Sequence, residues 1–124
     1  INAAIKAGGK DTVIATDVGN HQMWAAKGLD VQQPDRYLTS GGAGTMGYGL
    51  PAAIGAMKAY PDLSYVLITG DLSFKQYSNA LGMLSPYHPN DHRTIARNDL
   101  TIFVFDNSHV DRPTGAMVHA YIES

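Results

Sequence analysis

These 124 residues contain no cysteine, and that one absence removes disulfides, thiolate nucleophiles and cysteine-based zinc sites together. A chain of this kind suits a reducing compartment, so the cytoplasm is the expected location. Charge of either sign is scarce as well: 9 basic against 11 acidic residues leave a net charge of −2 with no basic run. No nucleic acid and no anionic membrane surface is therefore expected as a partner. No stretch approaches the roughly 20 apolar residues of a membrane span. The opening Ile1-Asn2-Ala3-Ala4-Ile5-Lys6 lacks the charged-then-apolar layout of a signal peptide. Glutamate is nearly missing, since Glu123 is the only one and it lies near the chain end, where segments fray.

What the chain does hold is one core's worth of apolar residues and a clustered load of glycine. With 44% hydrophobic residues it suffices for one compact core and not two, so a single domain over 1–124 is expected. The 13 glycines cluster around residues 41–55 instead of scattering as in a flexible linker, which marks them as positional. Apolar runs closed by turn residues predict strands at 12–16, 36–39, 65–69 and 100–105. Val66-Leu67-Ile68 and Ile102-Phe103-Val104-Phe105 show no polar alternation, as in strands buried on both sides of a parallel sheet. Helical segments are expected at 21–27, 46–60 and 74–84, and 85–99 reads as a surface excursion.

The alternation β-α-β-α-β-α-β predicts an α/β fold of three layers, an open and mostly parallel sheet with helices on both faces. Such sheets bind ligands beyond the carboxyl ends of their strands. Here those ends lead into Asp17-Val18-Gly19-Asn20-His21, Ser40-Gly41-Gly42-Ala43-Gly44, Gly70-Asp71-Leu72-Ser73 and Asp106-Asn107-Ser108-His109. All four are polar or glycine-rich.

Gly42-Ala43-Gly44-Thr45-Met46-Gly47 fits G-x-G-x-x-G between a strand and a helix, where backbone N–H groups can meet a pyrophosphate. A dinucleotide site is the weaker reading, because that fold wants the motif after its first strand and a lone acid closing the next. Asp71 and Asn107 each follow a buried strand. One carboxylate and one amide oxygen suit Mg²⁺, which takes few protein oxygens beside water and its ligand's phosphates. The same two residues also suit a helix cap and a turn. Met46 serves equally as core packing, His21 as a surface or helix-start histidine, and Trp24 reads as core or interface packing. His88 and His92, on a polar loop, read as solvated residues.

Thr39-Ser40-Gly41-Gly42-Ala43-Gly44-Thr45-Met46-Gly47-Tyr48-Gly49-Leu50-Pro51-Ala52-Ala53-Ile54-Gly55-Ala56 closely resembles the matching segment of acetolactate synthases and related thiamine diphosphate carboligases. Asp17-Val18-Gly19-Asn20-His21-Gln22-Met23-Trp24-Ala25-Ala26, Leu67-Ile68-Thr69-Gly70-Asp71-Leu72-Ser73-Phe74 and Asp106-Asn107 are similar to further segments of the same family. The likeness runs over about residues 12–118. It implies the thiamine diphosphate-binding fold, with thiamine diphosphate and Mg²⁺ as cofactors. By the resemblance, the side chains of Asp71 and Asn107 and the backbone carbonyl of His109 would hold the metal. Asn20, His21 and Gln22 would line the diphosphate site, with the backbone N–H groups of Leu72 and Ser73. Gly44 would offer its carbonyl to the cofactor's amino group, and Met46 would be the apolar wedge pressing the aminopyrimidine toward the thiazolium.

The same resemblance implies half of an active site for decarboxylation or carboligation of a 2-oxo acid. The activating glutamate would come from a separate pyrimidine-binding domain or subunit, and an oligomer is expected. Three departures stand against the family pattern. Leu72 replaces the second glycine of Gly-Asp-Gly, where glycine usually allows a positive φ or a close approach. The interval from Ser73 to Phe105 is long, with an insertion expected within 85–97. The tail Asp106-Asn107-Ser108-His109-Val110-Asp111-Arg112-Pro113-Thr114-Gly115 is closer to 2-oxoacid:ferredoxin oxidoreductase and sulfopyruvate or phosphonopyruvate decarboxylase β-type sequences. A chain that begins without Met and stops at Ser124 is expected to be a subunit or fragment of a larger enzyme. The rival reading is a non-catalytic α/β binding or interaction domain whose pocket Leu72 has closed.

Overall fold

The computed structural model describes residues 1–7, 11–31, 33–84 and 100–106. Its described elements are α1 (Asn2–Ala7), β1 (Thr12–Thr16), α2 (Asn20–Gly28), β2 (Tyr37–Thr39), α3 (Gly49–Ala59), β3 (Ser64–Gly70), α4 (Asp71–Tyr77) and β4 (Leu100–Phe105), with 3₁₀ turns at Pro34–Arg36 and Ser78–Leu84. The four strands are all parallel in the order β2-β1-β3-β4. Register aligns Ala15 with Leu67 and Leu67 with Ile102 across the three longer strands.

Alternating strand residues feed two separate layers, as the pleat requires. On one face Ala15 and Leu67 meet Leu50, Ala53 and Ile54 of α3, with Phe74, Leu81 and Leu84 packed around them. On the other, Ile14 and Ile68 meet Ala25 of α2, with Ile5 of α1 alongside. This is the expected three-layer α/β arrangement. Helix α3 forms because Leu50, Ala53, Ile54 and Met57 repeat on one stripe. Pro51 is tolerated in its first turn, where no intrahelical N–H is needed. Each of the larger buried side chains contributes about 1.5–3 kcal/mol relative to an exposed position.

Three sequence expectations need adjustment. The helix expected from residue 46 begins at Gly49, because Gly47 has φ +89° and cannot lie in a right-handed helix. The helix expected from residue 74 begins already at Asp71 and tightens to 3₁₀ at Ser78. Strand β4 is not buried on both sides: Val104 and Phe105 are 44% and 39% exposed, since β4 is the edge strand of the described sheet and has a strand neighbour only in β3.

From β1 the chain moves outward to β2, then returns to lay β3 on β1's other side. The carboxyl ends of β1 and β3 therefore flank a topological switch point, where sheets of this type form their crevice. The Asp17 amide, donating to the Ile68 carbonyl at 2.9 Å, holds those two ends together.

Candidate functional site

Every buried polar or charged residue among those described lies at or just past this carboxyl end: Thr16, Asp17, His21, Thr69, Asp71 and Ser73. Such burial is unfavourable unless each group is hydrogen-bonded. Most of them are. The Thr16 hydroxyl donates to Thr39 Oγ1 at 2.8 Å, and Ser73 Oγ donates to the Val18 carbonyl at 3.3 Å. Two atoms are the exceptions at this end: His21 Nε2 and Asp71 Oδ2 are buried without a partner.

Asp17, 1% exposed, organises the glycine-rich loop. Its Oδ1 accepts from the backbone N–H groups of Gly47 (2.7 Å) and Val18 (2.8 Å), and its Oδ2 accepts from that of Gly49 (2.9 Å). A β-carbon on Gly49 would come within 3.0 Å of Asp17 Oδ2 and 2.8 Å of Leu67 Cδ1. One on Gly47 would overlap the Tyr77 ring at 2.0 Å. These two glycines are thus required by close approach. Gly44, by contrast, stands exposed with φ +63° and open space around its α-carbon. Met46 is half-buried in the turn that precedes α3.

His21 sits in the first turn of α2 with its ring wedged between glycines. A β-carbon on Gly19 or on Gly70 would reach its Cε1 at 2.9 or 3.1 Å. Phe105 stacks near it at a centroid distance of 6.5 Å and 13°. Desolvation by this burial lowers the imidazole pKa from its ordinary 6.5; the Asp17 charge, a hydrogen bond with the Asp17 backbone and the Asp71 charge pull the other way without cancelling it. The ring is therefore neutral at neutral pH.

Neither α2 nor α4 has a side-chain cap at its amino end, where Gly19 and Gly70 stand. Both amino ends come to the switch point, and free helix N–H groups with the helix dipole favour an anion there. Asn20 is half-buried at the start of α2. Gln22 lies one residue beyond His21, but its Nε2 already donates to Thr39 Oγ1 (2.9 Å) and the Ser40 carbonyl (3.3 Å), tying α2 to the end of β2. Leu72 is half-buried in α4, and no residue other than glycine takes a positive φ among those described. Leucine at this position therefore needs no left-handed backbone.

The structure thus places His21 near Asp17 and Asp71 and Ser73 against Val18, with Leu72 between Asp71 and Ser73 in the first turn of α4, while Gly44 and Met46 lie on the loop that Asp17 pins at Gly47 and Gly49. Asn107 and His109 lie outside the described residues, and so do His88 and His92. Trp24 is 58% exposed and meets Phe105 edge-on at 6.1 Å, so core packing is excluded for it. Asp17 is the residue that sequence reasoning passed over as a site member. Its signal was present: an acid at a strand's carboxyl end, in a chain whose glycine run offers N–H groups without side chains.

A profile of the family described as "Thiamine pyrophosphate enzyme, C-terminal TPP binding domain" matches residues 17–113. The chain belongs to that family. Thiamine pyrophosphate is the same compound as thiamine diphosphate. Among similar proteins, the acetolactate synthase large subunit of Cyanidium caldarium is 48% identical over 93 residues, covering 75% of this chain and 14% of that protein. Acetolactate synthase isozyme 2 large subunit of Escherichia coli strain K12 is 51% identical over 72 residues, 58% of this chain and 13% of its own length. A probable acetolactate synthase large subunit of Methanococcus aeolicus is 48% identical over 79 residues, with 64% and 13% covered. The chain thus spans only about a seventh of the relatives it matches. With family membership shown, the glycine-rich run belongs to a thiamine diphosphate-binding domain and not to a dinucleotide fold. No helix among the described residues is long and apolar enough to cross a membrane.

Proposed function

We propose that this chain supplies the diphosphate side of a thiamine diphosphate site, engaged through Mg²⁺, as half of the active site of a 2-oxo acid decarboxylase or carboligase. The observation that carries this reading is the pair of unpartnered buried atoms, His21 Nε2 and Asp71 Oδ2, at a switch point where two uncapped helices begin. A buried carboxylate oxygen with no donor fits a hard cation, and a neutral imidazole beside helix N–H groups fits a diphosphate. No group of three or more His, Cys, Asp or Glu suited to a metal occurs among the described residues.

In this reading Asp71, with Asn107 and the His109 carbonyl, holds Mg²⁺. Asn20, His21 and the amides of Leu72 and Ser73 face the diphosphate, with Gln22 lining the site while its Nε2 braces α2 against the end of β2, and Gly44 and Met46 face the aminopyrimidine. The bound cofactor supplies the electron sink for cleaving or joining the carbon bond next to the 2-oxo group. The acid that activates its pyrimidine would come from another domain or subunit, because Glu123 is the chain's sole glutamate. The working enzyme is accordingly a larger assembly, and the lack of cysteine supports the cytoplasm as its compartment.

Calorimetric titration with thiamine diphosphate, with and without Mg²⁺, tests the reading, and metal-dependent binding is the expected result. No binding under either condition would favour a non-catalytic domain that keeps the scaffold. A paired assay of pyruvate turnover should find none for the chain alone. Turnover that survives Glu123→Gln would reveal an activating group within the chain and end the half-site proposal.

A further inference from the structure

Asp17 has a geometry that core packing does not demand. It is a carboxylate 1% exposed, placed where β1 ends, with three backbone N–H groups as partners, two of them from residues 30 and 32 positions away. Among the described residues no lysine or arginine forms an ion pair with it. Its described hydrogen-bond partners are backbone amides, and charge-assisted bonds of this kind are about twice as strong as neutral ones. The loop it grips has few other anchors: Thr45 N–H donates to Ser40 Oγ at 3.2 Å, and Tyr48 N–H to the Thr45 carbonyl at a long 3.4 Å. Residues 41–45 are exposed.

We infer that Asp17 is the positioning residue of the glycine-rich loop: by fixing Gly47 and Gly49 it sets where Gly44 and Met46 stand relative to the crevice. This rests on the proposed function for the identity of what the loop faces, but not for the pin itself. The inference separates two halves of the site. His21, Asp71 and the helix amino ends act on the diphosphate; Asp17 reaches this half through the Val18 N–H and through a backbone hydrogen bond with His21, and Asp17→Asn keeps both, so loosening the Gly49 end of the loop should not weaken it. Removing a buried negative charge near an anion should, if anything, help it bind.

The test is Asp17→Asn and Asp17→Ala in the full chain, read by amide hydrogen exchange and by calorimetry with two probes, thiamine diphosphate and inorganic pyrophosphate, each with Mg²⁺. Asparagine keeps one acceptor, which can serve Gly47 and Val18, while its NH₂ confronts the Gly49 N–H. Gly49 should then exchange on the order of tenfold faster than in the wild type while Gly47 stays protected, as expected for one orphaned buried donor. Alanine should release both. Thiamine diphosphate affinity should fall about tenfold in Asp17→Asn, with pyrophosphate affinity unchanged or tighter. Equal weakening of both probes would reduce Asp17 to a general structural role, and unchanged exchange at Gly49 would remove the pin. Should the wild type bind neither probe, the proposed function and the positioning role fall together, while the exchange measurement still decides whether Asp17 holds the loop.

Discussion

At the amino ends of the strands, Val13, Met57 and Tyr65 close the sheet, none of them more than 4% exposed, whereas its carboxyl ends bury Thr16, Asp17, His21, Thr69, Asp71 and Ser73. Tyr65 shows how the first end is finished. Its hydroxyl lies 2.9 Å from the Ala56 carbonyl and 2.7 Å from that of Tyr60, adding to the Tyr60 and Leu63 N–H groups that these carbonyls already accept at the end of α3. That end too has loose atoms, since Arg36 Nε and Tyr37 Oη are buried without partners, but Arg36 lies within ion-pair reach of Asp11 (3.6 Å) and Asp35 (3.7 Å). The carboxyl end differs in kind: its orphans are an acid and an imidazole close enough to interact electrostatically. Apolar burial closes the amino end, and the polar burial that costs stability is concentrated at the carboxyl end, where a bound ligand would offset it.

The comparison is broken most directly at Asp71. Asp71→Ala should lower Mg²⁺-dependent thiamine diphosphate affinity by more than about a hundredfold, since even residues that only support metal ligands are worth about 10–100-fold. Its melting temperature should hold or rise, because an unpartnered buried carboxylate oxygen is removed. Retained affinity by calorimetry would take Asp71 out of the metal site.

Met57→Ala is the mirror experiment. Met57 is 1% exposed among Val13 and Tyr65, and its truncation should cost about 2–5 kcal/mol in denaturant unfolding. Cofactor affinity of the folded fraction should stay at the wild-type value. A parallel loss of affinity would mean that the two ends are not independent.

Most of the fold could be read from the sequence because its signals are local. Strand bounds at Thr12–Thr16 and Leu100–Phe105 follow from apolar runs bracketed by turn residues, and the parallel sheet from their alternation with helices. What escaped depends on partners distant in sequence. The late start of α3 is set by Gly47 answering to Asp17, thirty positions away, and the exposed face of β4 by its place at the edge of the described strands. At the site, His21 and Asp71 stood out through motif likeness, yet their buried, unpartnered atoms are visible only in three dimensions. Asp17 was hidden for the same reason.

Leu72→Gly sharpens the comparison at smaller scale. A glycine inside α4 should destabilise the protein by about 1 kcal/mol, while diphosphate affinity should increase severalfold as the side chain leaves the helix's first turn. Weaker binding in titration would show that this turn has adapted to leucine.

The smallest effect expected is a pH dependence traceable to His21. Burial holds the folded-state pKa of this imidazole below 6.5, with desolvation outweighing the pull of Asp17 and Asp71. The unfolded chain therefore takes up the proton at higher pH than the folded one. The stability that His21 contributes is whole above the unfolded value of 6.5 and is lost as pH falls from there through the lowered folded value. Melting temperatures of the wild type and His21→Gln, measured from about pH 7.5 down to about pH 5.5, should converge on the acid side, the wild type falling more steeply. A diphosphate bound beside the ring would favour the imidazolium and raise its pKa toward the ordinary range, so saturating thiamine diphosphate with Mg²⁺ should flatten the wild-type slope and leave the variant's unchanged. Parallel profiles for the two proteins without ligand would mean that the His21 ring is hydrated in solution, and the carboxyl end would lose one of the two unpartnered groups that set it apart from the amino end.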